Sequence, residues 1–199
     1  MSAYIRAATP RAEALWLRIS VRSRLTPLIS VAIISLTRRG GGVGGVLQSA
    51  VVSGGLRHGE ISGLTTVDVM PPGHEPEVAF AGVWAQACWR HGRRPSQREM
   101  YGMLDGTGCK DRNMLSAAGG TAAGVGIVPL LERCWPTICE VATQLFGHSQ
   151  VSHDDVTKAL GLSVDPNTAA IELAHIRVGS APGSFTVTKA LSAREMAHL

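Results

Sequence analysis

The chain has 199 residues, which is enough for one domain with short extensions. Hydrophobic residues make up 45% of it but aromatic residues only 5%, so Ala, Val and Leu must fill most of the core. The net charge of +4 is concentrated at one end, because residues 1–39 carry seven Arg and one Glu, a balance of +6 that leaves −2 for the rest. A basic domain surface of the kind that binds nucleic acid is therefore disfavoured.

Residues 1–45 are predicted to be a basic leader, either disordered or the product of a start site placed too far upstream. Their longest apolar run, 25–36, is interrupted by Pro27. A helix of that length reaches about 18 Å, well short of a bilayer core of about 30 Å. Arg38 and Arg39 follow where a signal-peptide cleavage site would need small residues. We therefore predict no transmembrane segment and a cytoplasmic protein.

The four cysteines are consistent with that location. None forms a Cys-x-x-Cys pair, and no zinc-binding spacing is present. We predict buried, reduced thiols of the kind found in cytoplasmic cores, at Cys88, Cys109, Cys134 and Cys139.

The fold class predicted from the pattern is mainly α, a compact helical domain with a small extended or β segment near 58–70. The domain should span residues 46–178, and residues 179–199 should form a weakly structured tail. The apolar stretch 46–53 fits a helix or a strand equally well. Apolar spacing and capping residues predict helices over residues 77–91, 97–104, 110–118, 127–146, 152–161 and 168–177.

The run 127–146 is the most strongly periodic part of the chain. Pro136 is predicted to kink this helix or to start a new one, and Gly147 to end it. The expected core residues are Trp84, Leu131, Trp135, Ile138, Val141 and Leu145.

Motifs of known catalytic or metal chemistry are incomplete in this sequence. There is no His-x-x-x-His pair, no Gly-x-Ser-x-Gly, and the glycine cluster 40–45 lacks the Lys-Ser/Thr of a phosphate loop. His148 and His153 lie near Asp154 and Asp155 and could hold an adventitious metal, although those carboxylates also suit a helix start. We predict no cofactor.

Four segments of residues 79–161, taken in order, resemble the FtsH-type zinc metallopeptidase domains. Residues 79–87, Ala-Phe-Ala-Gly-Val-Trp-Ala-Gln-Ala, resemble the family's Ala-Gly-x-x-Ala-Glu helix. Residues 106–111, Gly-Thr-Gly-Cys-Lys-Asp, look like its Thr-Gly-x-x-x-Asp turn, and residues 130–146 and 151–160 resemble the C-terminal helices of small actinobacterial-type relatives. The resemblance implies a helical peptidase scaffold with Asp111 at the third zinc-ligand position.

The family's His-Glu-x-x-His motif is missing. It would fall around residues 40–46, where the chain reads Gly-Gly-Gly-Val-Gly-Gly-Val, and Gln86 stands where the family has Glu. Because catalytic zinc normally has three protein ligands, the resemblance implies a scaffold without catalytic machinery and only a vestigial metal position at Asp111. Either the protein is a degenerate relative kept for binding, or residues 1–45 come from a shifted frame or a wrong start. With peptidase ancestry, the Asp111 carboxylate should face the 40–60 segment; otherwise it should be an exposed helix-start charge.

A DNA-binding module is the alternative hypothesis. Residues 155–163 resemble the first helix and turn of a helix-turn-helix within a segment at 152–177. The recognition helix, 168–177, offers only His175 and Arg177 to a groove, with Glu172 opposing them. A degenerate, non-catalytic metallopeptidase-like protein with a protein partner is the preferred interpretation, and the sequence does not name its ligand.

Overall fold

The computed structural model describes residues 47–53, 62–67 and 73–184. Over these ranges the protein is mainly helical with a small antiparallel sheet, which confirms the predicted fold class. The predicted leader and most of the predicted tail lie outside the described residues, so the domain limits at 46 and 178 stay predictions.

Three strands form the sheet, in the order β2-β1-β3 with antiparallel neighbours: β1 (Leu47–Ser53), β2 (Ser62–Val67) and β3 (Gln150–Val151). In the register Val52 lies opposite Gly63, and Ala50 lies opposite Val151. The stretch that fitted a helix or a strand is thus a strand. Its pairing with β3, about a hundred residues later, is a tertiary contact that periodicity does not report.

Six α-helices follow within the described residues: α1 (Glu75–His91), α2 (Gln97–Asp105), α3 (Cys109–Ala117), α4 (Val128–His148), α5 (His153–Ala159) and α6 (Pro166–Val178). Two 3₁₀ turns, Thr121–Ala123 and Val125–Ile127, link α3 to α4. The predicted capping box of α2 is present, with the Ser96 hydroxyl accepting from the Glu99 backbone N–H and the Glu99 carboxylate accepting from the Ser96 N–H.

Helix α4 bears on two predictions. Pro136 was predicted either to kink the helix or to start a new one, and the second alternative is wrong because Pro136 lies inside one continuous helix. Its ring is exposed, and nine buried side chains on both sides of it hold the helix against the core despite the missing backbone donor. The helix also runs past Gly147 to His148, because Ser149 supplies the left-handed terminal residue with φ 61°.

One hydrophobic cluster runs from Leu47 on β1 to Ile176 on α6. The six residues predicted to form the core are all buried, which confirms that list. At its centre the rings of Trp84 and Trp135 meet edge to face, with centroids 5.6 Å apart and planes at 83°. Helices α1 and α4 therefore form the middle of the bundle.

The cysteine prediction is partly wrong. All four thiols are free, and burial raises the pKa of Cys88 and of Cys134 to about 12. Cys109, however, is exposed, because it is the first residue of α3 and that short helix buries only Leu115.

No single helix in the described ranges is long and apolar enough to cross a membrane. The segments Cys109–Ala117 and Thr121–His148 reach that length and apolar content only when taken together, and they are bent by 82° relative to each other. Nine residues of α4, which forms most of the second segment, are buried within the protein.

Candidate functional site

Asp111 lies in the first turn of α3, where a carboxylate faces the positive end of the helix. Its side chain is half-buried, and burial raises the pKa of that carboxyl above its usual range. Two residues separate Gly108 from Asp111, one fewer than in the Thr-Gly-x-x-x-Asp turn that it resembles. The prediction that this carboxylate faces the 40–60 segment concerns residues that lie mostly outside the described ranges, so it stays a prediction.

The structure brings together two of the four segments that resemble the peptidase family, 79–87 and 106–111. Thr107 Oγ1 donates a hydrogen bond of 3.1 Å to Gln86 Oε1, across 21 residues of sequence. Gly108 allows this approach, because a β-carbon there would lie 3.2 Å from Val83 Cγ2 and 3.2 Å from the Met103 carbonyl oxygen. The start of α3 is thus packed closely against α1, and Gln86 accepts a hydrogen bond where the family has an acid.

The donor set around Asp111 does not fit zinc within the part of the chain that the structure describes. No group of three or more His, Cys, Asp or Glu side chains converges there. The carboxylate of Asp155, which the sequence placed near two histidines, accepts from the Ser152 N–H at 2.8 Å and from its hydroxyl at 2.7 Å. These hydrogen bonds lower the pKa of Asp155 and close a capping box on α5. Residues 40–46, where the missing motif would fall, are not among the described residues.

Comparison with family models, with curated proteins and with solved structures finds no match. The peptidase resemblance therefore stays a prediction.

Sequence reasoning missed a cleft of about 400 Å³ between α1, α2 and the two 3₁₀ turns. Phe80, Trp84, Pro95, Met100 and Val128 give it a buried apolar lining, whereas the other residues of the lining are exposed or half-buried. No signal in the sequence indicates that 121–128 folds back beside 80–84. The lining residues are Phe80, Trp84, Arg94, Pro95, Gln97, Met100, Tyr101, Thr121, Ala122, Val125 and Val128.

The predicted recognition helix, α6, presents a different surface from the one expected. Glu172 is buried and accepts from the Ser163 backbone N–H and hydroxyl, both at 2.6 Å, so it does not face a groove. Arg177 is half-buried, and the carbonyl oxygen of Ile176 accepts a hydrogen bond of 2.6 Å from Arg133. The exposed residues of α6 are neutral or apolar apart from one histidine: Pro166, Asn167, Ile171, Ala174, His175 and Val178.

Proposed function

We propose that this protein is a non-catalytic relative of the FtsH-type zinc metallopeptidases, whose helical scaffold serves to bind a protein partner. The observation that carries this proposal is the hydrogen bond from Thr107 to Gln86. It joins two of the four segments that resemble the family, and the half-buried Asp111 follows Thr107 by four residues, in the first turn of α3.

The donor chemistry of the described residues supports a non-catalytic role. Catalytic zinc needs three protein ligands and an open position for water. The described residues offer Asp111 without a second or third ligand, and the resembling position for an acid holds the neutral Gln86. One carboxylate does not supply the three protein ligands that catalytic zinc needs.

Metal analysis of the purified full chain, combined with a casein cleavage assay, tests the proposal. We expect zinc well below one per chain and no chelator-sensitive cleavage. The variant Asp111→Asn should leave both results unchanged, as should the control Asp105→Asn, which removes an exposed carboxylate at the end of α2. Stoichiometric zinc, with cleavage that is lost on chelation and in Asp111→Asn but not in Asp105→Asn, would show the proposal to be wrong.

A protein partner is favoured over DNA by the exposed surface of α6. Ile171 is 50% and Val178 84% exposed, and they stand seven residues apart on one side of the helix. Neutral and apolar side chains of this kind pack on protein, whereas DNA binding needs several cations against phosphates.

The DNA hypothesis has a direct test in the full chain. We expect the double variant His175→Ala/Arg177→Gln to bind duplex DNA no differently from the parent in gel-shift titrations at two salt concentrations. A weaker and less salt-dependent complex in the variant would instead support the helix-turn-helix hypothesis.

A further inference from the structure

The cleft between α1 and α2 has the size and lining of a small-ligand site. Its volume of about 400 Å³ lies within the range of about 300–1,000 Å³ typical of such sites. Phe80, Trp84 and Met100 are buried and present apolar surface to it. An aromatic ring or a branched aliphatic group would lose contact with water there, which favours binding.

The cleft is separate from the Asp111 position. Successive residues of a helix are turned by about 100°, so Gln86 points roughly 120–160° away from Phe80 and Trp84 around α1. A ligand in the cleft would therefore lie against another face of α1 than the one that contacts Thr107. The inference goes beyond the proposed function and does not depend on peptidase ancestry.

Tyr101 supplies a hydroxyl in a defined arrangement. Hydrogen bonds with the side chains of Thr121 and Gln97 lower the pKa of Tyr101, and Gln97 Nε2 lies 3.5 Å from the phenolic oxygen. Gln97 donates to that oxygen, so the Tyr101 O–H hydrogen is left to donate to an acceptor. Tyr101 is 46% exposed, so an incoming ligand can reach its side chain.

Arg94 gives the cleft its charge. It is the one ionised side chain of the lining, which holds no Asp or Glu. Arg94 Nη1 lies 3.2 Å from Glu132 Oε1 on α4, in a pair whose partners are 65% and 37% exposed. A guanidinium has five N–H donors, so a single contact leaves others for a ligand anion. Glu132 would compete with that anion for the same group.

We propose that this cleft binds a small carboxylate with an aromatic or branched apolar side group. The carboxylate lies toward the donors of Arg94 and Tyr101, and the side group lies against Trp84 and Phe80. Two sources have this chemistry: a free hydrophobic acid, and the C-terminal residue of a peptide.

The experiment is a calorimetric titration of the full chain with N-acetyl-L-phenylalanine and with its amide, which has the same ring but no charge. We expect the acid to bind about tenfold more tightly, since a charge-assisted hydrogen bond is stronger than a neutral one. Equal binding of acid and amide, or no heat of binding up to about 10 mM, would overturn the proposal. The tripeptide Gly-Gly-Phe separates the sources, because tighter binding than the acetylated acid indicates a peptide C-terminus and weaker binding a free acid.

Matched variants test the placement. Arg94→Gln should bring the preference for acid over amide close to one, whereas Arg98→Gln, which removes an exposed charge on α2 outside the cleft, should not alter it. Tyr101→Phe should weaken binding of the acid several-fold.

Glu132→Gln should strengthen binding of the acid, because the carboxylate that competes for Arg94 is gone. The control Glu140→Gln on the same helix should leave binding unchanged. Thermal unfolding of each variant verifies folding, and equal effects of Arg94→Gln and Arg98→Gln would contradict the assigned position.

Discussion

Thr107 and Gln86 are joined by a 3.1 Å hydrogen bond that connects the turn before α3 to the middle of α1. Because both partners are accessible to water, we expect Thr107→Val to lower the free energy of unfolding by about 0.5–1 kcal/mol. Thr107→Ser keeps the hydroxyl and should lose less. Urea denaturation of Thr107→Val, Gln86→Ala and the double variant measures their coupling, and strictly additive effects would show that the hydrogen bond contributes nothing.

The ionisation of Asp111 should oppose folding at neutral pH. Burial raises its pKa above the usual 3.8, so the folded state binds more protons than the unfolded state just above that value. The free energy of unfolding contributed by this group therefore rises as the pH falls through the folded pKa toward 3.8. We expect Asp111→Asn to lose no stability at pH 7, or to gain some, and to lose this advantage near pH 4.

Asp154 offers the matched control for that experiment. It is an exposed carboxylate in the first turn of α5, so Asp154→Asn should lose about 0.3–1 kcal/mol of favourable helix-dipole interaction at pH 7. Urea denaturation at pH 7 and pH 4 compares the two variants. An equal loss in both at pH 7 would mean that Asp111 acts as an ordinary helix-start charge.

Gly124 lies tightly against α1, between the two 3₁₀ turns. A β-carbon there would collide with Cβ of Phe80 and lie 2.6 Å from the Pro76 carbonyl oxygen. We expect Gly124→Ala to destabilise the protein by about 1–3 kcal/mol, because backbone atoms must move apart. The control Gly126→Ala has no atom within 4 Å of its new carbon and should change stability little. Thermal unfolding compares the two, and similar melting temperatures would contradict the close packing.

Glu172 determines how α6 joins the bundle. It is 5% exposed and accepts two hydrogen bonds from Ser163, at the turn between α5 and α6. Glu172→Ala would leave the Ser163 N–H without its acceptor, and we expect a loss of about 1–3 kcal/mol in urea denaturation. Glu172→Gln keeps one acceptor oxygen and should lose less. Unchanged stability in Glu172→Ala would mean that water replaces the carboxylate at no cost.

The helices of this protein are largely determined by local sequence. The apolar spacing of 127–146, the Ser96–Glu99 pair and the acidic first turns predict helices close to those in the structure, because periodicity and capping depend on residues within a few positions of one another. The burial of Trp84 and Trp135 follows from the same periodicity. Pro136 shows the limit of local rules, since core contacts on both sides keep α4 in one piece.

Only the tertiary structure decided which distant segments meet. It paired the strand 47–53 with 150–151 as well as with the neighbouring 62–67, and it brought Thr107 within hydrogen-bonding distance of Gln86. It also turned Glu172 inward and placed 121–128 beside Phe80 and Trp84 to form the cleft. Such contacts depend on how whole helices and strands pack, and a sequence pattern within a few residues does not say which distant segment of the chain they will contact. The helices were therefore readable from the sequence, whereas the cleft and the surroundings of Asp111 came from packing.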